Sequence, residues 1–201
     1  MSTRLWIVTG ILIIVPAALV WMAGMHVLPL SLTGEHRRLA EVAGLRAGLT
    51  VAEIGAGSSS LASAVHALTG PGGHLYVTEI DPTRLSALRD KFDRAQNVTV
   101  VGATSAGTSL PDGCCDVVYM RNVLHHVRDW DTYAREVARA LREGGRVVVI
   151  DFGPGALWWH LGHDHGAEPA RVEEAFTAAG LTPAARIDDW GGGMFLLRFD
   201  R

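Results

Sequence analysis

A chain of 201 residues, 48% of them hydrophobic, has room for one globular domain and a short appendage but not for two ordinary domains. Its net charge of −3 excludes the basic surface with which a nucleic-acid-binding protein neutralises phosphates. The only cysteines, Cys114 and Cys115, are adjacent and cannot join distant elements through a disulfide. A redox or metal-binding thiol pair is one interpretation. We adopt the simpler one, in which two small residues lead into a buried strand.

An uncharged segment at residues 5–25 predicts a transmembrane helix. A helix rises roughly 1.5 Å per residue, so this segment spans about the 30 Å of a bilayer core. Trp6 and Trp21 lie near its ends, where indole rings prefer the headgroup level. A cleaved signal peptide would have a shorter apolar region and a small-residue cleavage site, and a core helix would need a domain around it. We therefore predict a membrane anchor at residues 1–28.

The arginines around this segment predict which side of the membrane the rest of the chain faces. Only Arg4 precedes the segment, whereas Arg37, Arg38 and Arg46 follow it, and basic residues mark the cytoplasmic side. We therefore expect a single-pass membrane protein with its folded domain in the cytosol. Residues 29–49 are predicted to form a juxtamembrane segment with an amphipathic helix, whose arginines either meet anionic headgroups or form a solvated face.

Strand and helix patterns alternate from residue 50 to residue 201, which favours βαβ units and a mostly parallel sheet with helices on both faces. The predicted strands are residues 50–54, 74–79, 97–101, 116–120, 146–151, 181–187 and 194–199. The predicted helices are residues 60–68, 82–95, 131–142 and 169–180. We assign residues 50–201 to one α/β domain.

A glycine-rich loop, EIGAGSSS at residues 53–60, links the first predicted strand to the first predicted helix. Glycines let the backbone approach a ligand closely, and a helix N-terminus offers unpaired N–H groups. Glu79 ends the second strand, where an acid is placed to bind ribose hydroxyls. Domains that bind dinucleotides and domains that bind S-adenosylmethionine share this arrangement, so other segments must separate them.

Five segments in order resemble the class I S-adenosylmethionine-dependent methyltransferases, especially the group that includes quinone-biosynthesis methyltransferases. They are EIGAG at 53–57, YVTEIDP at 76–82, LPDGCCDVV at 110–118, RNVLHHV at 121–127 and ALREGGRV at 140–147. The resemblance covers residues 44–201 and leaves the membrane segment outside. It implies a Rossmann-like, seven-stranded, mostly parallel sheet with helices on both faces and an antiparallel last strand. It also implies S-adenosylmethionine as the cofactor.

The resemblance implies roles for individual residues as well. Gly55 and Gly57 pack beside the methionine part of the cofactor, and Glu53 binds its ammonium group through water. Glu79 takes the ribose hydroxyls, and Asn122 lies near the sulfonium. The other members of the predicted cofactor site are Ala56, Ser58, Ser59, Ile80, Ala103, Thr104 and Arg121.

Two positions depart from the family pattern. Ser59 stands where the loop usually has its third glycine. Residues 101–104 lack the acid that often follows the third strand and holds the adenine amino group. The hydroxyls of Ser58 and Ser59 are still hydrogen-bond donors. Backbone groups near Ala103 and Thr104 are the expected contacts for adenine.

Histidines beyond the strand ends are candidates for the methyl acceptor side. Methyl transfer from a sulfonium is an in-line displacement, which needs positioning and, for a hydroxyl or amine acceptor, a nearby base. His125 and His126 follow the fourth strand, at the carboxyl edge where open α/β sheets bind ligands. They either contact the acceptor or merely pack the following turn. His160 follows the fifth strand, in a connection that often covers the acceptor pocket in this fold.

The segment around His160 is rich in possible metal ligands, namely His163, Asp164 and His165. Imidazole with carboxylate suits zinc or iron, but a polar lid explains the pattern more simply, and we predict no metal site. The tryptophans at residues 158–159 either stack on an aromatic acceptor or lie against the bilayer.

The leading hypothesis is S-adenosylmethionine-dependent methyl transfer to a small or lipophilic acceptor at the cytosolic membrane face. The alternative is a non-catalytic, membrane-tethered S-adenosylmethionine-binding sensor or scaffold, which Ser59 and the missing adenine acid favour. A nicotinamide-dependent oxidoreductase agrees with the glycine loop alone. The segments around Asn122 and Gly144 disfavour it.

Overall fold

The computed structural model describes residues 28–58, 60–154 and 166–201, with side chains from Gly34 onward. The α-helices within these ranges are α1 (Leu28–Ala43), α2 (Ser60–Thr69), α3 (Pro82–Lys91), α4 (Trp130–Ala140) and α5 (Pro169–Ala178). The strands are β1 (Thr50–Ile54), β2 (His74–Glu79), β3 (Val98–Gly102), β4 (Cys115–Arg121), β5 (Leu141–Phe152), β6 (Thr182–Gly191) and β7 (Met194–Asp200). A short 3₁₀ helix, Leu124–His126, follows β4.

The chain divides into two compact units, Met1–Arg37 and Arg38–Arg201. In the first unit the structure describes residues 28–37, which are helical and belong to α1. Within the described ranges no helix combines the length and the apolar character that crossing a bilayer requires. The uncharged segment at residues 5–25, on which the predicted anchor depends, lies outside those ranges.

The second unit is built on one seven-stranded sheet with the order β3-β2-β1-β4-β5-β7-β6. Neighbouring strands from β3 to β5 are parallel, whereas β7 runs antiparallel to both β5 and β6. The predicted Rossmann-like sheet with an antiparallel last strand is confirmed. The strand order reverses between β1 and β4, and open α/β sheets bind ligands beyond the carboxyl ends of strands at such a point.

Buried side chains form one hydrophobic cluster on each face of the sheet. Alternate residues of β5 point to opposite faces, so Val147 and Val149 join one cluster, and Val148 and Ile150 join the other. Residues of α4 and α5 complete the first cluster, and residues of α1, α2 and α3 complete the second. Burial on both faces explains why β5 is a nearly continuous run of apolar residues. Cys115 is buried as the first residue of β4, which agrees with the interpretation of the cysteine pair as small residues that lead into a buried strand.

The start of β5 differs from its prediction. The helix predicted at residues 131–142 ends at Ala140, because Leu141 already pairs with Cys115 as the first residue of β5. The strand thus begins at Leu141 rather than at residue 146, and its pairing with β4 shifts register between Cys115 and Val117. Gly144, predicted to stop the helix, lies in this irregular stretch at a φ of +71°. Glycine at positive φ is typical of a β-bulge, which explains how the strand absorbs the extra residues.

Three other predicted bounds shift by a few residues. Helix α3 ends at Lys91 rather than near residue 95, because the Phe92 N–H makes the last helical bond, to the Leu88 carbonyl at 3.0 Å. Helix α5 ends at Ala178 rather than at residue 180. Strand β6 continues to Gly191, because its pairing with β7 resumes there after an irregular stretch that follows Ile187.

Arginine side chains hold the C-terminal part of α1 within the second unit. Arg38 donates to the carbonyl oxygen of Trp190 at 2.8 Å, and its guanidinium lies 4.0 Å from the centre of the Trp190 ring. Arg146 and Arg198 donate to the last carbonyl groups of α1, which have no partners inside a helix. Of the arginines considered for lipid headgroups, Arg38 is therefore engaged with the domain.

Candidate active site

A cleft of about 190 Å³ opens beyond the carboxyl ends of β1, β2 and β4, where the strand order reverses. Its lining brings together predicted cofactor and acceptor residues, namely Gly55, Glu79, Ile80, Ala103, Thr104, Asn122 and His126. It also includes residues that sequence reasoning did not assign to the site, namely Ile54, Thr78, Arg84, Ser105, Val123, Val127 and Tyr133. These residues therefore lie together at the carboxyl edge of the sheet.

The glycine loop presents bare backbone to this cleft. Gly55 has a φ of +67°, a conformation that side chains other than glycine rarely adopt. A Cβ at this position would lie 2.6 Å from Cγ2 of Val123, which is too close for any real contact. The Gly55 N–H faces Thr78 Oγ1 at 3.4 Å, which ties the loop to β2. Glycine is thus favoured here both by the positive φ and by the closeness of Val123.

Glu79 fixes the loop as well as lining the cleft. It is buried at the end of β2, and its Oε2 accepts the Gly57 N–H at 3.0 Å. Its Oε1 accepts the N–H groups of Ile80 and Asp81 at 2.8 and 3.0 Å. A carboxylate has about four acceptor positions, so these three donors leave capacity for a ribose hydroxyl. The acid predicted to bind ribose therefore also holds the backbone around it.

Glu53 lies behind the loop rather than in the lining of the cleft. It is buried in β1 directly beside Tyr119 of β4. Burial, together with the neighbouring Glu53 carboxylate, raises the pKa of the Tyr119 phenol well above its ordinary value. The phenol is therefore protonated at physiological pH and is a donor beside the carboxylate. Glu53 therefore lies beside Tyr119 and outside the lining of the cleft.

Asn122 carries two marks of a ligand site. Its backbone is in the left-handed region, at a φ of 56°. The Asn122 N–H holds it there by donating a hydrogen bond to the Ile150 carbonyl at 2.8 Å. Its amide oxygen Oδ1 is buried and finds no hydrogen-bond donor in the described part of the chain. A buried acceptor without a donor is costly unless a ligand supplies one. The ammonium group of S-adenosylmethionine can donate a hydrogen bond to such an oxygen, and the positive charge of its sulfonium is attracted to it.

The loop after β3 uses its backbone N–H groups within the protein. The N–H of Ala103 donates to the Glu79 carbonyl at 3.0 Å, and the N–H of Thr104 donates to the Gly107 carbonyl at 3.1 Å. These two N–H groups are therefore paired within the protein, and the adenine contact expected from backbone groups near Ala103 and Thr104 stays a prediction. The hydroxyls of Thr104 and Ser105 and the side chain of Arg84 are polar groups in the lining of the cleft. Ile80, which is 59% exposed, offers an apolar surface for a flat base.

Restoring an acid at Ala103 is expected to tighten S-adenosylmethionine binding roughly fivefold, because a carboxylate accepts a hydrogen bond from the adenine amino group. Isothermal titration calorimetry on the Ala103→Asp variant measures the change. Ala103→Asn is the matched control, since it supplies an acceptor of the same size without the charge. Affinity that is unchanged or weaker in both variants would contradict the placement of adenine beside this residue.

The two histidines predicted for the acceptor side occupy different positions. His126 is exposed and lines the cleft, whereas the side chain of His125 is only 5% exposed and lies behind it. Their ring centres are 4.0 Å apart. Nδ1 of His125 lies 2.5 Å from Oδ1 of Asp151, a fully buried residue near the carboxyl end of β5. His126 therefore lies at the wall of the cleft, and His125 lies behind that wall.

The other predicted site residues do not line the cleft or are not described. Ala56 is buried, Arg121 is half-buried and Ser58 is exposed, all outside the lining. Ser59 and His160 lie outside the described residues, as do the neighbours of His160 that were considered as metal ligands. Within the described ranges, no group of three or more histidine, cysteine or carboxylate side chains is placed to hold a metal ion.

Sequence reasoning missed Tyr133 and Asp151. Tyr133 is predicted only as part of the apolar face of a helix, but it is buried and lines the cleft. Burial raises the pKa of Tyr133 to about 12, so its hydroxyl is protonated at physiological pH. Asp151 is predicted only as the end of a strand. The sequence signal for Asp151 is an acid at the end of an apolar strand, and its contact with His125 has no signal of its own.

A family model described as a methyltransferase domain matches residues 52–149, the part of the chain that contains the loop, Glu79 and the histidines. Residues 52–149 thus resemble a methyltransferase domain, and the fold and the cleft agree with that likeness. The bare backbone at Gly55 and the Asn122 oxygen that lacks a hydrogen-bond donor fit S-adenosylmethionine, which is the cofactor of such methyltransferases.

Among curated proteins, the chain is similar to the ubiquinone/menaquinone biosynthesis C-methyltransferase UbiE of Hahella chejuensis, with 32% identity over 112 residues. That alignment covers 54% of this chain and 45% of the relative, so the chain spans about half the length of the curated relatives it matches.

Two solved structures share the fold. A S-adenosylmethionine-dependent methyltransferase from Aquifex aeolicus matches with a TM-score of 0.68 and 18% identity, over 82% of this chain and 88% of that one. Geranyl diphosphate C-methyltransferase from Streptomyces coelicolor, solved with S-adenosyl-L-homocysteine, matches with a TM-score of 0.68 and 14% identity. The second match covers 84% of this chain and 80% of that one.

Proposed function

We propose that this chain transfers the methyl group of S-adenosylmethionine to a small or lipophilic acceptor at the cytosolic face of a membrane. The observation that carries the proposal is a single cleft in which Gly55 and Glu79, on the cofactor side, meet His126. An in-line displacement mainly requires that two reactants are held end to end. A cleft that is lined both by the predicted cofactor residues and by an imidazole supports methyl transfer.

A hydroxylated ring of the quinone-precursor type is the acceptor that we propose. Val123 and Val127 line the cleft together with His126, and an apolar wall with a few polar groups suits an aromatic ring. The name of the Hahella chejuensis relative places that protein in ubiquinone and menaquinone biosynthesis. The alignment covers less than half of that relative, so we propose, on the basis of this similarity, that this chain acts on an acceptor of the same kind.

The membrane location belongs to the same proposal. It is supported by the uncharged residues 5–25 and by the arginines that follow them. Residues 1–28 would form the anchor, residues 29–49 the juxtamembrane segment and residues 50–201 the catalytic domain. An anchored active site meets a lipid-phase acceptor at a raised effective concentration.

A sensor or scaffold that binds S-adenosylmethionine without turnover is the second candidate. The observation that favours it is the adenine end of the cleft, where Ala103 replaces an acid and the N–H groups of Ala103 and Thr104 are already paired. Such a protein would bind the cofactor and leave its methyl group in place.

Methyl transfer by the full chain in detergent micelles separates the two candidates. The chain is incubated with methyl-tritiated S-adenosylmethionine and a membrane-lipid extract from cells that lack the gene. The proposal predicts that tritium enters an organic-phase product, and that the Glu79→Ala variant forms far less of it at the same cofactor concentration. Bound cofactor without any transfer would instead support the scaffold.

A further inference from the structure

Tyr133 packs its ring in the core and has a hydroxyl that nothing nearby satisfies. The residue belongs to the first hydrophobic cluster and is only 4% exposed, yet it lines the cleft. In the described part of the chain its hydroxyl has no hydrogen-bond partner, and its oxygen is not among the fully buried polar atoms that lack one. A tyrosine hydroxyl in apolar surroundings usually has a partner, because an unpaired one is costly. The hydroxyl thus reaches the cleft, where a ligand can supply the partner.

Tyr133 lies beside the turn that follows β3. Two backbone hydrogen bonds between Thr104 and Gly107, of 3.1 and 3.4 Å, close this turn. The turn rests on α4, since a Cβ at Gly107 would lie 3.3 Å from Oε2 of Glu136. Tyr133 precedes Glu136 by three residues and so shares that side of the helix. Tyr133 therefore belongs to the end of the cleft at which Ala103 lies.

This end of the cleft is where the purine of S-adenosylmethionine is expected. Glu79 is the predicted ribose ligand at the end of β2, and Ile80 and Ala103 lie beside it, towards β3. The cleft, at about 190 Å³, is smaller than the roughly 300–1,000 Å³ of common ligand sites, so residues on its opposite walls reach the same nucleoside. A base that lies on the apolar surface of Ile80 is therefore within reach of the Tyr133 hydroxyl.

The hydroxyl differs from an acid in its hydrogen bonding. Apart from Glu79, no carboxylate among the described residues lines the cleft. A carboxylate only accepts hydrogen bonds, whereas a hydroxyl both accepts and donates, and its hydrogen rotates to suit the ligand. Burial raises the pKa of Tyr133 to about 12, so the phenol keeps its proton, and both capabilities, at neutral pH. Thr104 and Ser105 also carry hydroxyls but are exposed, which makes the buried Tyr133 the best-fixed of the three.

We infer that Tyr133 contacts the 6-position of the purine in place of the acid that is missing at Ala103, and that the cleft accepts 6-amino and 6-oxo purines alike. The hydroxyl accepts a hydrogen bond from the amino group of adenine and donates one to the oxygen of hypoxanthine. The guanidinium of Arg84 also lines the cleft, has no partner within the described ranges and is a donor that suits a 6-oxo group. This inference rests on the cofactor binding in the proposed function and adds a residue that sets the choice of base.

Isothermal titration calorimetry on the full chain in detergent micelles tests the inference. The probes are S-adenosylhomocysteine and S-inosylhomocysteine, whose bases carry an amino and an oxo group at the 6-position. We expect the unaltered chain to bind the two with Kd values within about tenfold of each other. Tyr133→Phe should weaken the binding of both probes on the order of fivefold, because each loses one hydrogen bond to a neutral group.

Two further variants frame this result. Tyr76→Phe is the matched control, because it removes a phenolic hydroxyl from a half-buried tyrosine outside the lining of the cleft. Both Kd values should stay within about twofold in that variant. Ala103→Asp supplies a group that only accepts hydrogen bonds and repels a 6-oxo group. We expect it to raise the preference for S-adenosylhomocysteine on the order of 20-fold.

The outcomes separate the parts of the inference. A preference of the unaltered chain for S-adenosylhomocysteine of more than about tenfold would overturn the shared acceptance of the two bases. Unchanged Kd values in Tyr133→Phe, or a loss for one probe alone, would overturn the role of Tyr133. If Tyr133→Phe does not fold, the preference of the unaltered chain and its change in Ala103→Asp still decide the inference.

The same titrations keep this inference distinct from the proposed function. Absence of binding of both probes would overturn the cofactor assignment, and the inference with it. A chain that binds both probes but transfers no methyl group to the membrane-lipid extract would contradict the proposed methyl transfer alone, because base recognition needs binding only.

Discussion

Glu79→Ala is expected to weaken S-adenosylmethionine binding on the order of 100-fold, because the one acceptor position that its three backbone donors leave open would take a ribose hydroxyl, and a hydrogen bond to a charged group contributes roughly 1.5–3 kcal/mol. The same change removes the acceptor of three backbone N–H groups, at Gly57, Ile80 and Asp81. The loop is therefore expected to lose order as well, with a lower Tm. Isothermal titration calorimetry and a thermal melt measure the two effects.

Glu79→Gln separates the loss of the ribose contact from the loss of loop order. Glutamine keeps the length of the side chain and one acceptor oxygen, but its amide NH₂ faces at least one of the backbone N–H groups. We expect its Tm to lie between those of the unaltered chain and Glu79→Ala. Glu143→Ala, at an exposed acid, is the matched control. Equal cofactor affinity in Glu79→Ala and Glu143→Ala would contradict the ribose assignment.

Gly55→Ala is expected to lower the free energy of unfolding by roughly 2–5 kcal/mol and to reduce cofactor binding with it. A left-handed conformation disfavours a side chain by about 1–2 kcal/mol, and overpacking typically contributes about 1–3 kcal/mol more. The overpacking arises because the new Cβ would lie 2.6 Å from Val123 Cγ2. Urea unfolding monitored by circular dichroism measures the change.

Gly57→Ala and Val123→Ala divide this effect into its two causes. Gly57 also has a positive φ, +51°, but a Cβ there would meet nothing closer than 4.0 Å. Its alanine variant should therefore show the conformational part alone. The Gly55→Ala/Val123→Ala double variant should recover most of the overpacking part, because the clashing methyl group is gone. A strictly additive double variant would show that Val123 does not set the requirement for glycine at this position.

The sheet and the position of the cleft could be predicted from the sequence because both depend on local patterns. The valine run of β5 and the alternation of strands and helices specify a buried parallel sheet, and the loop at Gly55 marks the end of its first strand. The place of Glu79 in the cleft could be predicted because an acid at the end of the second strand commonly binds ribose hydroxyls in folds of this kind. Its second task, holding three backbone N–H groups, depends on how the loop folds and has no sequence signal.

The parts that the sequence did not predict depend on contacts between distant residues. Asp151 meets His125 only because β4 and β5 are neighbours, so the pair cannot be predicted from either segment alone. The paired N–H groups of Ala103 and Thr104 depend on the turn after β3. Strand β5 starts early because Leu141 finds a partner in β4, which overrides the helical pattern of the preceding residues.

Titration of the full chain in detergent micelles with S-adenosylmethionine by isothermal calorimetry tests the central claim most directly. The cleft between β1, β2 and β4 is predicted to bind one equivalent, and a parallel titration with a nicotinamide dinucleotide is predicted to release no binding heat. Heat from the dinucleotide alone, or from neither ligand, would contradict the assignment of this fold and cleft to an S-adenosylmethionine-dependent methyltransferase.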